Sequence, residues 1–164
     1  MKGLVINKYN RNKYIQNSTL FVDKVEIITN LWCENINISS IDLSNYTNLE
    51  YLNCSFNKIL SIRLLNCVKL KHLLCFENNI LSIDLSNCIN LQELVCYNNN
   101  ISSINLSKCM VMNYNVIQAV YPPWGCTNLK YLDCSHNNIS SIDLSSCVNL
   151  QKLDCGFNKI SSID

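Results

Sequence analysis

Apolar and polar positions along this chain recur with a step of 21 residues. LEYLNCSFNKILSIRLLNCVK begins at Leu49 and LKHLLCFENNILSIDLSNCIN at Leu70; further copies begin at Leu91, Leu129 and Leu150. A weaker copy, ITNLWCENINISSIDLSNYTN, begins at Ile28, so six units fill residues 28–164 and the last stops at its fifteenth position. Position 4 is always leucine, from Leu31 to Leu153, and position 6 is always cysteine, from Cys33 to Cys155. Positions 11 and 14 are always isoleucine, and position 13 is always serine. Position 9 is Ile36 once and asparagine thereafter: Asn57, Asn78, Asn99, Asn137 and Asn158. Position 16 is leucine in all five units that reach it.

Inward positions 4 and 6 alternate with more polar positions 3 and 5, the period of a half-buried strand. One short buried stripe cannot fold alone, so neighbouring units must stack, with like positions in ladders ~4.8 Å apart. The asparagine at position 9 falls where the chain leaves the strand. Its amide both donates and accepts, and so can satisfy backbone groups that the strand ladder leaves open. The unit is too short for a full helix on the return path, and the Ile-Asp-Leu-Ser alternation there predicts a second extended stretch.

The motif L-x-x-L-x-C-x-x-N-x-I, as in LKHLLCFENNI and LKYLDCSHNNI, resembles the leucine-rich repeat family, with cysteine in a strand slot that more often holds leucine. The resemblance implies a leucine-rich repeat solenoid: a curved right-handed coil with a parallel sheet on its concave face, serving mostly as a binding scaffold. The short cysteine-bearing unit and the Asn-, Ile-, Lys- and Tyr-heavy composition are also similar to repeat proteins of giant DNA viruses or low-GC bacteria. Residues 1–27 are expected to form an N-terminal cap with a half-repeat, since Leu20, Val22 and Val25 fit positions 14, 16 and 19. Residues 28–164 are the repeat domain, with an insertion at about 110–125.

All 11 cysteines fall into two ladders. Six stand at position 6; Cys67, Cys88, Cys109 and Cys147 stand at position 19, with Cys126 just before the fifth unit and Tyr46 in that slot of the first. The spacings lack the close C-x(2–4)-C pairs of structural zinc sites. The thiols are therefore expected to be buried packing, with no metal and no cofactor. No leader and no apolar run of 18 residues is visible, which points to a reducing cytoplasmic location and free thiols. In that setting the Asn-x-Ser/Thr sequons carry no sugar.

Charge narrows the function classes. With 13 Lys+Arg against 12 Asp+Glu the net charge is +1. That near-neutrality argues against nucleic acid and against a polybasic membrane anchor. The carboxylates at position 15 (Asp42, Asp84, Asp143, Asp164) are interrupted by Arg63 and lack a calcium-solenoid pattern. No G-x-S-x-G, H-E-x-x-H or P-loop occurs, and His72 and His136 lie in distant units, so no catalytic residue is expected.

Binding is expected on the concave face, where positions 3, 5, 7 and 8 collect the aromatics. The candidates are Trp32, Tyr51, His72, Leu74, Phe76, Val95, Tyr97 and Tyr131, with Leu74, Phe76, Val95 and Tyr97 forming a central apolar patch. Phe56 and Phe157 at position 8 are assigned to packing between neighbouring coils. A second candidate is the insertion MVMNYNVIQAVYPPWG, through Trp124. The partner is an unidentified protein. A structural or degenerate repeat without a specific ligand is the alternative. The last unit carries no polar cap, which implies end-to-end dimerisation, fraying, or descent from a longer array.

Overall fold

The computed structural model describes residues 3–7, 9–10, 13–20, 27–106 and 126–163. The chain opens with β1 (Gly3–Val5) and a short hairpin, β2 (Ile15–Gln16) and β3 (Thr19–Leu20). Each unit then contributes two strands, one at positions 3–5 and one on the return path. They are β4 (Asn30–Trp32) and β5 (Ser40–Asp42), β6 (Tyr51–Asn53) and β7 (Ser61–Arg63), β8 (His72–Leu74) and β9 (Ser82–Ile83). The series continues with β10 (Glu93–Val95) and β11 (Ser103–Ile104), β12 (Tyr131–Asp133) and β13 (Ser141–Ile142), β14 (Lys152–Asp154) and β15 (Ser162–Ile163).

The first strands of the units, together with β1, form one parallel seven-stranded sheet in the order β1-β4-β6-β8-β10-β12-β14. Its register follows the repeat: Leu31, Leu52, Leu73, Leu94 and Leu132 are consecutive partners and fully buried. The return strands form two four-stranded sheets, β2-β3-β5-β7 and β9-β11-β13-β15, as the Ile-Asp-Leu-Ser alternation predicts. Between the two sides lies a core of leucine, isoleucine and cysteine.

The turn out of each strand has a conformational cost. Every residue at position 8, namely Asn35, Phe56, Glu77, Asn98, His136 and Phe157, has φ between 50° and 56°. None is glycine, and left-handed backbone costs an L-residue about 1 kcal/mol. The conformation lets the position-8 N–H donate to the next coil, as from Phe56 to the Phe76 carbonyl (3.1 Å) and from Glu77 to that of Tyr97 (3.1 Å). It also sets the position-9 asparagine pointing inward. Asn78 Oδ1 accepts from the Ile59 N–H of the preceding coil (2.9 Å), while its Nδ2 donates to the carbonyls of Cys54 and Cys75 (both 3.1 Å) and of Phe76 (3.2 Å). Asn99 and Asn137 repeat this pattern.

Two features depart from the sequence reading. The N-terminal cap adds a strand that the sequence did not announce, while Val22 and Val25 of the expected half-repeat lie outside the described residues. β1 extends the main sheet with Leu4 beside Leu31, and Ile6 is buried in the slot that cysteine holds elsewhere. Sixteen residues separate Leu4 from Leu20, against ten from Leu31 to Ile41, and the surplus includes the β2–β3 hairpin. The second departure concerns Cys109. The position-19 residue donates its N–H to the position-16 carbonyl, as from Cys67 to Leu64, Cys88 to Leu85 and Cys147 to Leu144. In the fourth unit it is Cys126 that bonds to Leu106 (2.8 Å), so Cys126 holds the slot; Cys109 lies outside the described residues.

Candidate functional site

The outward residues of the main sheet are positioned by the leucine ladder beneath them. With position 4 pinned inward, positions 3 and 5 must face the other way. At the first strands, Trp32 and Tyr51 lie with ring centroids 5.4 Å apart, and Tyr51 is 6.0 Å from the His72 ring. His72 Nδ1 meets Glu93 Oε2 at 2.9 Å. Farther along, Tyr131 lies under the Lys152 ammonium, 4.8 Å from the ring centroid.

At position 7 a second aromatic row begins. Phe76 and Tyr97 stack at 4.6 Å with 11° between their planes, and Phe56 meets Phe76 edge-on at 5.1 Å. Such pairs contribute about 0.5–1.5 kcal/mol beyond area burial. Trp32, Tyr51, His72, Leu74, Phe76, Tyr97 and Tyr131 are all half-buried, which leaves part of each on the surface. Val95 differs from the rest: it is only 8% exposed and offers a partner little contact. Phe56 and Phe157, read from the sequence as packing between coils, do make ring contacts. They remain 53% and 78% exposed, because the left-handed backbone turns them toward the rim. Trp124 and the rest of the insertion fall outside the described residues.

Carboxylates accompany these rings. Glu34, Glu77, Glu93, Asp133 and Asp154 stand at positions 3, 5, 7 or 8, with Lys152 the one lysine there. Their field reaches the tyrosines. Burial pushes Tyr51, Tyr97 and Tyr131 above the ordinary phenol value, and carboxylates push further: Glu34 and Glu93 on Tyr51, Glu77 and Asp133 on Tyr97, Asp133 and Asp154 on Tyr131. This acidic character is distributed over units whose charges nearly cancel along the chain, so the sequence reading missed it. A tally by position within the repeat would have found it.

The cysteines are thiols in a dry interior. Ten are described, none in a disulfide; nine are buried and Cys155 is half-buried. Burial holds Cys33, Cys75 and Cys96 well above the ordinary thiol range and pushes Cys54, Cys67 and Cys134 up to about 12. No group of three or more His, Cys, Asp or Glu side chains suited to a metal occurs among the described residues. Nor is any described helix long and apolar enough to cross a membrane. In the last coil Leu153 is 36% and Ile163 51% exposed, where their counterparts are buried.

No curated protein sequence matches this chain. Among solved structures, it is similar to the functional domain of InlJ from Listeria monocytogenes, described as including a cysteine ladder. The identity is 22% and the TM-score 0.47, over 87% of this chain and 38% of that one. The chain thus spans well under half of that domain's length. Residues 112–164 match the Leucine Rich repeats (2 copies) family. The matched segment holds the fifth and sixth of six units that share one motif and one register, so residues 112–164 carry leucine-rich repeats and the upstream units repeat their pattern.

Proposed function

We propose that this protein is a non-enzymatic interaction scaffold that binds a protein partner on its concave sheet face. The observation that carries the reading is the stacked Phe76–Tyr97 pair, half-exposed in the turns that follow strands β8 and β10, next to Phe56 and alongside the Trp32–Tyr51 pair of the first strands. Aromatic side chains supply large contact area at low entropic cost, and they concentrate at interface hot spots. Rigid ladders beneath them mean that little ordering entropy is lost on binding. Leucine-rich repeat solenoids generally serve as scaffolds, which fits this reading. The buried thiols suit a reducing, cytoplasmic setting.

The test is affinity capture from the native cell, comparing the wild type with Phe76→Ser/Tyr97→Ser checked by circular dichroism to remain folded. A protein retained by the wild type and lost by the variant supports the reading. Identical captures refute it and favour a structural repeat without a specific ligand.

A further inference from the structure

We propose that the partner presents a basic segment, whose arginine or lysine side chains seat over the Phe76–Tyr97 and Tyr131 rings and against Glu77, Asp133 and Asp154. This rests on the concave-face reading and names the chemistry of its partner. Three independent observations converge on it.

The first is the charge balance of the face. Five carboxylates stand there against one lysine, while the whole chain carries +1, so acidity is concentrated where the aromatics are. A concave surface of one sign raises the local concentration of oppositely charged segments and steers their approach.

The second is an unrelieved like-charge contact. Asp133 and Asp154 are direct register partners on β12 and β14, about 4.8 Å apart along the ladder, an arrangement that destabilises a sheet. Asp133 accepts from Ser135 N–H (3.1 Å) and Oγ (2.8 Å) and from the Tyr131 hydroxyl, and Asp154 from Gly156 N–H (3.1 Å), all of them neutral donors. No ion pair among the described residues reaches either one. A cation bridging the two removes the repulsion.

The third is an internal precedent. Lys152 already places its ammonium over the Tyr131 ring at 4.8 Å, the geometry a bound lysine or arginine would reproduce on the neighbouring rings. From β8 to β14 the face spans about 14 Å, so four or five extended residues cross it, enough for two or three basic side chains.

The probe is a fluorescein-labelled dodecapeptide alternating arginine with leucine, with its glutamate-for-arginine counterpart as the control. Both are titrated by anisotropy at 0.1 M and 0.4 M NaCl. The arginine peptide is expected to bind at least tenfold tighter than the glutamate peptide and to weaken with salt. Asp133→Asn/Asp154→Asn keeps the turn acceptors, and is expected to lower affinity at least fivefold. Asp84→Asn/Asp143→Asn on the return side changes it less than twofold. Equal affinity of the two peptides, no binding of the arginine peptide below millimolar, or equal loss in the two aspartate variants overturns the inference. The concave reading has a separate fate. If the glutamate peptide binds more tightly and loses affinity with Phe76→Ser/Tyr97→Ser, the face is confirmed and the basic partner rejected. If neither peptide responds to any concave substitution, both fall.

Discussion

Replacing the position-9 asparagines with alanine should destabilise the solenoid by amounts that vary along the array. Asn78 makes four hydrogen bonds, but their loss is not equally costly. The Cys54 carbonyl also accepts from Asn57, and the Cys75 carbonyl also accepts from Asn99. The Phe76 carbonyl keeps the Phe56 N–H. Each of these acceptors survives Asn78→Ala with a partner. The Ile59 N–H does not: Asn78 Oδ1 is its acceptor, and Ile59 is fully buried. An orphaned buried donor costs about 1–3 kcal/mol, and the lost amide bonds add about 1 kcal/mol more, so Asn78→Ala should cost about 3 kcal/mol.

Asn57 should cost more. Ile36 takes the asparagine position in the first unit, so Asn57 Oδ1 serves two buried donors, Ile36 N–H at 3.1 Å and Ile38 N–H at 3.2 Å. Its removal orphans both, about 4 kcal/mol in all. Asn158, half-buried in the last coil, makes bonds of the same kind where water can replace part of them, and should cost about 1 kcal/mol. The assay is urea unfolding followed by far-ultraviolet circular dichroism, with the slope checked for constancy so that midpoints compare. Equal losses at the three sites, or less than about 0.5 kcal/mol at Asn78, would show that the asparagine ladder does not carry coil stacking.

Three further outcomes follow from the geometry. A Cβ at Gly3 would lie 2.6 Å from Trp32 Cζ3, well inside carbon contact distance, so Gly3→Ala should displace the indole and cost about 1 kcal/mol. Tryptophan emission in a Trp124→Phe background checks this, and an unshifted spectrum refutes it. Among the ten described cysteines Cys155 should react first with a thiol reagent at pH 8, because a thiol raised to about 12, as in Cys54, is roughly one part in ten thousand thiolate there. Mass-spectrometric labelling of Cys54 or Cys134 ahead of Cys155 would contradict it. Hydrogen bonds from Ser44 hold the Asp42 carboxyl below its usual value, with Arg63 adding to the effect, and Ser145 does the same for Asp143. A depressed carboxyl contributes stability above the unfolded value near ~4 and loses it as pH falls through the folded value. The urea midpoint should therefore decline below about pH 4, less steeply in Asp42→Asn/Asp143→Asn; identical acid limbs would sink the account.

The sequence made the coil legible because every unit repeats the same solution. Leucine at position 4 and cysteine at position 6 can be buried only if units stack in register, and isoleucine at positions 11 and 14 then has to close the other side. Where a unit departs from that solution, periodicity alone misleads. Cys109 has the right spacing from Leu91 for position 19, yet Cys126 bonds to Leu106, because an insertion shifts the spacing without changing which residue can complete the coil. The β1 strand escaped notice for the same reason. Ile6 does the work of a cysteine, and the surplus before Leu20 breaks the 21-residue step.

The proposed binding face was legible in its residue types and not in its energetics, since outward positions carry no periodic residue type. Position 8 makes the point. Phe, Glu, Asn and His all occupy it with the same left-handed backbone, so no sequence preference announces the turn. From Phe56 to His136 the conformation goes with an N–H bond to the next coil and an asparagine that follows. That leaves the side chain itself free to vary. The coil's stability thus rests on inward ladders that tolerate almost no change, while the exposed position-8 side chains, such as Phe56 and Phe157, can change at less cost to folding. The proposed binding role is what accounts for aromatic rings and carboxylates gathered on the outward side, where the repeat itself specifies no residue type.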